Sequence, residues 1–240
     1  MTKYLRQIIV GDTHGCIEEF TELLNKISYQ PSSDRLILLG DLIDRGPDSL
    51  GMVRKAREMN LECVMGNHEY KFLKWYKTFG TRQDVYDKKD FYSKFSHDDI
   101  DYIFKMPTYI KLDNNLVIVH AGLKPGISVS SQSKDDLMYL RYTDINGKFI
   151  SLKKIAKIGK EAAGAYFWTE FWKGPESVIY GHNVHSLDYP LIENVTPKVI
   201  CYGIDTGCCF GGHLSAMIVE TKEIIQVKAK LEYFKQGFDI

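Results

Sequence analysis

Short apolar runs recur along the chain, and each is cut off by a polar cluster. Ile8 to Val10 is β-branched and stops at Gly11-Asp12-Thr13-His14-Gly15, after which Ile17, Phe20, Leu24 and Ile27 return at helical spacing. Leu36 to Leu39 stops at Gly40-Asp41-Leu42-Ile43-Asp44-Arg45-Gly46, and a helix is predicted from Asp48 as N-cap to about Met59, with Leu50, Val53 and Ala56 facing inward. Leu61 to Met65 forms a third strand ending at Gly66-Asn67-His68-Glu69. Strand, helix, strand, helix, strand at these lengths predicts parallel pairing with right-handed crossovers, a geometry that binds ligands beyond the carboxyl ends of the strands.

Residues 69 to about 106 carry Phe72, Trp75, Tyr76, Phe91, Phe95, Ile103 and Phe104 at helical intervals, which predicts helices covering the sheet. The aromatic stripe reads as core packing, with base stacking as the alternative. Asn114-Asn115 marks a hairpin turn before Leu116 to Val119, which ends at His120-Ala121-Gly122. Residues 123 to 177 read as loop and helix, and Val178 to Tyr180 is a strand ending at Gly181-His182. Val199 to Ile204, Leu214 to Val219 and Ile224 to Val227 read as an antiparallel second sheet. Two sheets in a sandwich with helices outside would set five polar loops along one edge.

Composition narrows the partners. An apolar content of 44% in 240 residues supports a substantial core, and residues 1–240 are read as a single domain. Lys and Arg number 31 and Asp and Glu 31, so no basic face is required and nucleic acid is not expected as the main partner. No apolar run has the length of a membrane span, and Met1 to Gln7 lacks the apolar segment of a signal peptide; a cytoplasmic protein with no membrane partner is expected. Five cysteines without CxxC spacing, including adjacent Cys208 and Cys209, read as small buried thiols.

The polar clusters are where chemistry enters. Gly40 to Gly46 alone could be a polar turn with Asp44 and Arg45 as a local ion pair, and any one histidine could be a satisfied core or surface residue. Four histidines that closely follow predicted strands are harder to explain that way. Asp12, His14, Asp41, Asn67, His120 and His182 offer carboxylate, amide and imidazole donors that suit first-row divalent metals better than calcium or a thiolate zinc site. Six donors exceed what one ion usually takes, so two ions sharing Asp41 are expected, a centre suited to displacement at phosphorus. Arg45 can grip phosphoryl oxygens, His68 can protonate a leaving group, and Asp44 can orient His68. His97, His185 and His213 lie outside this pattern, and of these His185 is the one expected to support a ligand from behind.

GDTHG at 11–15, GDLIDRG at 40–46, GNHE at 66–69, HAG at 120–122 and GH at 181–182 together resemble the ordered signature of the calcineurin-like metallophosphoesterases, and more narrowly their phosphoprotein phosphatase branch. The resemblance implies a four-layer αββα sandwich with two mixed β-sheets, a dinuclear centre commonly filled by manganese, iron or zinc, and attack by a metal-activated hydroxide without a phosphoenzyme. It further implies one metal on Asp12, His14 and Asp41, the other on Asp41, Asn67, His120 and His182, and His68 with Asp44 as the acid pair. GIDTGCCFGGHLSAM at 203–217 is similar to bacterial and phage members, including symmetrical diadenosine tetraphosphatases and small serine/threonine phosphatases, and Arg141 is similar in placement to the family's second phosphate-gripping arginine. The expected activity is hydrolysis of phosphoserine and phosphothreonine in proteins. The alternative is symmetrical hydrolysis of a dinucleoside tetraphosphate such as diadenosine tetraphosphate, and a non-catalytic phosphate- or metal-binding module is the third reading.

Overall fold

The computed structural model describes residues 4–79 and 91–235. Its strands are β1 (Arg6–Val10), β2 (Asp34–Leu38), β3 (Glu62–Cys63), β4 (Tyr109–Leu112), β5 (Leu116–Val119), β6 (Tyr142–Thr143), β7 (Phe149–Ile150), β8 (Tyr166–Phe167), β9 (Ser177–Tyr180), β10 (Leu191–Thr196), β11 (Val199–Gly203), β12 (His213–Ile218) and β13 (Ile224–Lys228). The helices are α1 (Ile17–Lys26), α2 (Ser49–Glu58), α3 (Asn67–Phe79), α4 (His97–Phe104), α5 (Lys134–Tyr139), α6 (Leu152–Ile158) and α7 (Lys160–Ala163).

Two five-stranded mixed sheets form, in the orders β13-β12-β1-β2-β3 and β10-β11-β9-β5-β4, with a small third sheet β7-β6-β8. Period-two alternation explains how they stack. Ile8 and Val10 point to the layer of α1 and α2, while Ile9 points the other way, where it joins Ile37, Leu39, Ile118, Ile179 and Tyr202 between the sheets. Val117, Val119, Val178 and Tyr180 pack outward onto Leu137, Trp168 and Trp172. The result is the sandwich of two mixed sheets that the resemblance implies, with every strand of its centre buried on both faces.

The parallel pairs β1–β2 and β2–β3 are as the crossovers predict, as is the β4–β5 hairpin around Asn114-Asn115. The tail differs from expectation. It does not make one antiparallel sheet: β11 pairs parallel with β9 in the second sheet, whereas β12 lies antiparallel beside β1, with Ile218 opposite Ile8 and Ala216 opposite Val10. The reason is burial on both sides, since Leu214, Ala216 and Ile218 face α1 and Met217 faces the other sheet, so β12 must be interior. All five cysteines are free and buried. No helix among the described residues is long and apolar enough to cross a membrane.

The starts of β1 and β2 are pinned by charge. Arg6 lies opposite Asp34 in the parallel register, and its guanidinium donates to both carboxylate oxygens, at 2.9 and 2.6 Å, while Gln30 N–H adds a third bond at 2.8 Å. These bonds hold the Asp34 carboxyl below its ordinary pKa of 3.8. Asp34→Asn is therefore expected to lower unfolding free energy by about 1–2 kcal/mol at neutral pH. The carboxylate's contribution is complete above pH 3.8 and is lost as pH falls through the lowered value, so urea titrations of the two proteins should converge in acid; a constant gap would remove the ion pair as its cause.

Candidate active site

The loops after β1, β2, β3, β5 and β9 meet at one edge of the sandwich, and their backbones are unusual. His14, Asp41, Asp44, Arg45 and His182 all take positive φ, at 44°, 49°, 71°, 67° and 65°. Such conformations persist only where surroundings enforce them. His14 N–H donates to the Asp41 carbonyl at 2.8 Å and Asp48 N–H to the Gly15 carbonyl at 3.1 Å, lacing the first loop to the second. Gly46 permits this contact, because a Cβ there would overlap the His14 carbonyl oxygen.

The strongest tether is Glu69, fully buried at the start of α3. Its Oε1 accepts Leu42 and Ile43 N–H at 2.8 and 3.2 Å, and its Oε2 accepts Asp41 and Gly66 N–H at 2.8 and 3.1 Å. Burial pushes its pKa up to about 7, against the pull of these donors toward the ionised form.

Around Asp41 the side chains converge. Its Oδ2 lies 3.6 Å from His14 Nε2 and 3.8 Å from His68 Nε2, and its Oδ1 lies 3.4 Å from His120 Nε2 and accepts His68 N–H at 3.0 Å. Asn67 Oδ1 is 3.0 Å from His120 Nε2. His14 Nδ1–H donates to the Ile43 carbonyl at 2.9 Å and His120 Nδ1–H to the Leu39 carbonyl at 2.7 Å, so each ring turns its Nε2 inward. Two triads, His14–Asp41–His68 and Asp41–His120–His182, have their donor atoms within 4.8 Å of one another and share Asp41. Asp12 belongs to neither triad. Its Oδ2 accepts His182 N–H at 3.0 Å, and its Oδ1 is buried with no hydrogen-bond partner among the described residues, over Gly181, where a Cβ would overlap it.

The protonation pattern is that of a site rich in buried donors. Burial lowers the pKa of His14 to about 3, and burial with the Arg141 charge takes His182 well below its ordinary value. Burial opposes charge on His120 as well, but the Asp41 and Asp12 carboxylates push it up to about 10. Asp41, despite burial, is held well down by His120 and His68, while burial and the neighbouring Asp205 drive Asp12 well up. Imidazoles held neutral at His14 and His182, beside the charged Asp41 carboxylate and the buried Asp12 oxygen, make a donor set that fits divalent cations of the first transition row.

His68 Nδ1–H donates to Asp44, whose carboxylate also takes the Tyr92 hydroxyl at 3.3 Å. Arg45 Nη1 donates to His14 Nε2 at 2.8 Å, and Arg141 Nη2 to the His182 carbonyl at 2.8 Å. Arg141 Nε is buried without an acceptor among the described residues, and burial together with the charge of Arg45 lowers the Arg141 pKa. The two guanidiniums are thus close enough to repel, and the Asp205 and Asp41 carboxylates partly offset that repulsion.

All ten sequence-derived site residues lie in this one cluster: Asp12, His14, Asp41, Asp44, Arg45, Asn67, His68, His120, Arg141 and His182. His185 instead contacts Tyr180, Asn183 and Phe167. Glu69, Asp205 and Tyr92 were not anticipated. Glu69 closes the GNHE run and Asp205 follows β11, so position at a strand end was the available signal; nothing local marks Tyr92.

The family model of the calcineurin-like phosphoesterases matches residues 5–215. A protein of Oceanobacillus iheyensis named asymmetrical bis(5′-nucleosyl)-tetraphosphatase PrpE is 29% identical over 255 residues, covering 96% of this chain and 95% of the relative. Its namesake in a Geobacillus species is 30% identical, covering 96% and 97%. A symmetrical bis(5′-nucleosyl)-tetraphosphatase of Erwinia tasmaniensis is 27% identical, covering 90% and 94%. A crystal structure of a candidate diadenosine tetraphosphatase superposes with a TM-score of 0.77 at 30% identity over 93% of both chains. A yeast serine/threonine phosphatase with similarity to human PP5 shares the fold, with a TM-score of 0.65 at 16% identity, covering 99% of this chain and 82% of that one.

Glu69→Gln replaces one acceptor oxygen by an NH2 group that must face two backbone donors. Loss of about 2–4 kcal/mol of stability is expected in metal-free protein. Denaturation in chelator measures it, and a loss below about 0.5 kcal/mol would show that the loops hold without the clamp.

Proposed function

The chain belongs to the calcineurin-like phosphoesterase family and is a metal-dependent hydrolase, and we propose that it hydrolyses a dinucleoside tetraphosphate. The observation that carries this reading is similarity along nearly the full length of proteins named for that activity, at 29–30% identity with 95–97% of the relatives covered. The phosphoprotein reading rests on likeness of fold at 16% identity, which the shared architecture already accounts for. This favours the nucleotide alternative over the phosphoprotein substrate expected from sequence.

In this proposal Asp12, His14 and Asp41 hold one divalent ion and Asp41, Asn67, His120 and His182 the other, with manganese the expected metal. When bound, the ion pair supplies Lewis acidity to a water and to the phosphoryl group. Arg45 and Arg141 orient the phosphoryl oxygens and offset their charge. His68, its Nδ1–H held by Asp44, presents Nε2 as proton donor to the departing oxygen.

Steady-state hydrolysis with manganese should favour diadenosine tetraphosphate over a phosphoserine peptide by about a hundredfold, or ~2.7 kcal/mol. AMP and ATP are the expected products, following the asymmetrical cleavage in the names of the Oceanobacillus and Geobacillus relatives; ADP alone would identify symmetrical cleavage. A peptide preference would overturn the nucleotide reading.

A departing nucleotide phosphate is far less basic than the alkoxide of serine, so it needs less protonation. His68→Asn should slow hydrolysis of a phosphomonoester by roughly a hundredfold or more, with a smaller loss on the dinucleotide and normal metal content. Asp41→Asn should lose metal and activity together. Equal losses on both substrates would remove His68 as the acid, and a fully metallated Asp41→Asn would remove Asp41 as the shared ligand.

A further inference from the structure

The aromatic stripe of α3 divides into two faces. Phe72 and Trp75 pack inward with Tyr92 and Phe95 at centroid separations of 4.9 to 6.2 Å. Tyr70 and Lys74, one helical turn apart, lie on a different face. There Lys74 Nζ stands 4.0 Å above the Tyr70 ring, and Tyr70 stands 6.5 Å from Tyr139 at the end of α5. Tyr139 in turn meets the His182 ring edge-on at 6.5 Å. Reading outward from the candidate metal cluster, the order is His182, Tyr139, Tyr70 and Lys74.

Both tyrosines are half-buried and Lys74 is exposed. Neither phenol oxygen hydrogen-bonds to another described residue, so these rings are not present to satisfy a buried polar network. Two half-exposed phenol rings with an ammonium at the outer end suit a flat, electron-poor ring attached to an anionic chain. Stacking of a base on such a ring is worth about 1–3 kcal/mol and does not depend on base identity.

We propose that Tyr139 and Tyr70 form the seat for a nucleobase of the substrate, with Lys74 closing its outer end as a hydrogen-bond donor. The inference rests on the nucleotide reading above and deepens it, assigning base recognition to the wall built by α3 and α5 rather than to the metal centre. It also predicts tolerance among bases, because stacking on a phenol ring does not depend on base identity.

The test is calorimetric titration of the manganese-loaded protein with ADP and with pyrophosphate, which carry the same number of phosphates with and without a nucleoside. In Tyr139→Leu and in Tyr70→Leu the ratio of the Kd for ADP to that for pyrophosphate should rise about tenfold over wild type. Tyr139→Phe, which keeps the ring, should restore the wild-type ratio. An unchanged ratio in both leucine variants would overturn the seat even where diadenosine tetraphosphate is hydrolysed as expected. A peptide preference in the hydrolysis assay would instead overturn the nucleotide reading, whatever the titrations give.

Discussion

One buried carboxylate holds the catalytic edge together. The backbone beyond β2 leaves the sheet ladder through left-handed residues, so its amides lose their strand partners just where water is excluded. Glu69 accepts three of those amides and one from Gly66, so the end of the second strand is tied to the start of the helix that follows the third. An isolated buried charge would cost several kcal/mol, but four N–H donors offset it. With that tether in place Asp41 is aimed between His14 and His120, and His68, one residue before Glu69, is carried to the same point. Strain at Asp41, Asp44 and Arg45 is affordable because the surrounding ladder is rigid: Leu39 N–H still reaches the Val10 carbonyl at 3.0 Å, and Gly181 N–H the His120 carbonyl at 2.9 Å.

Charge is layered around this scaffold. Carboxylates and imidazoles crowd together, with Asp41 pulled toward its charged form and Asp12 toward its neutral one, and two guanidiniums border them, Arg45 on His14 and Arg141 on the His182 carbonyl. A chain with equal numbers of acidic and basic residues thus has a strongly polarised edge, a property that net charge conceals.

The strand-end residues were legible because a doubly buried strand has no use for Asp or His, so their arrival at the end of an apolar run points to chemistry. Pairing was less legible. Leu214 to Val219 has the same apolar character whether it lies beside β1 or beside β11, and only the three-dimensional register decides. β10 was missed because its faces are only half-buried, which weakens alternation, and β6 to β8 are two residues each, too short for any periodicity. Glu69 was hidden differently. An acid in the first turn of a helix is ordinarily explained by the helix dipole, and nothing in the local sequence shows that its partners lie 26 to 28 residues earlier.

The shared centre also explains why fold and site leave the substrate class open. A metal-assisted displacement at phosphorus needs the same donors whether the departing oxygen belongs to serine or to a nucleotide, and a yeast serine/threonine phosphatase keeps the architecture at 16% identity. What separates the two substrates is leaving-group basicity and what hangs from the phosphate. The first affects how much His68 matters; for a nucleotide phosphate, charge neutralisation by Arg45 and Arg141 can stand in for much of the protonation an alkoxide demands. The second is read at the walls. There α3 and α5 bring aromatic rings to within one side chain of His182, so the proposed discrimination falls to elements outside the strand-end motifs, where a sequence pattern shared by the whole family has least to say.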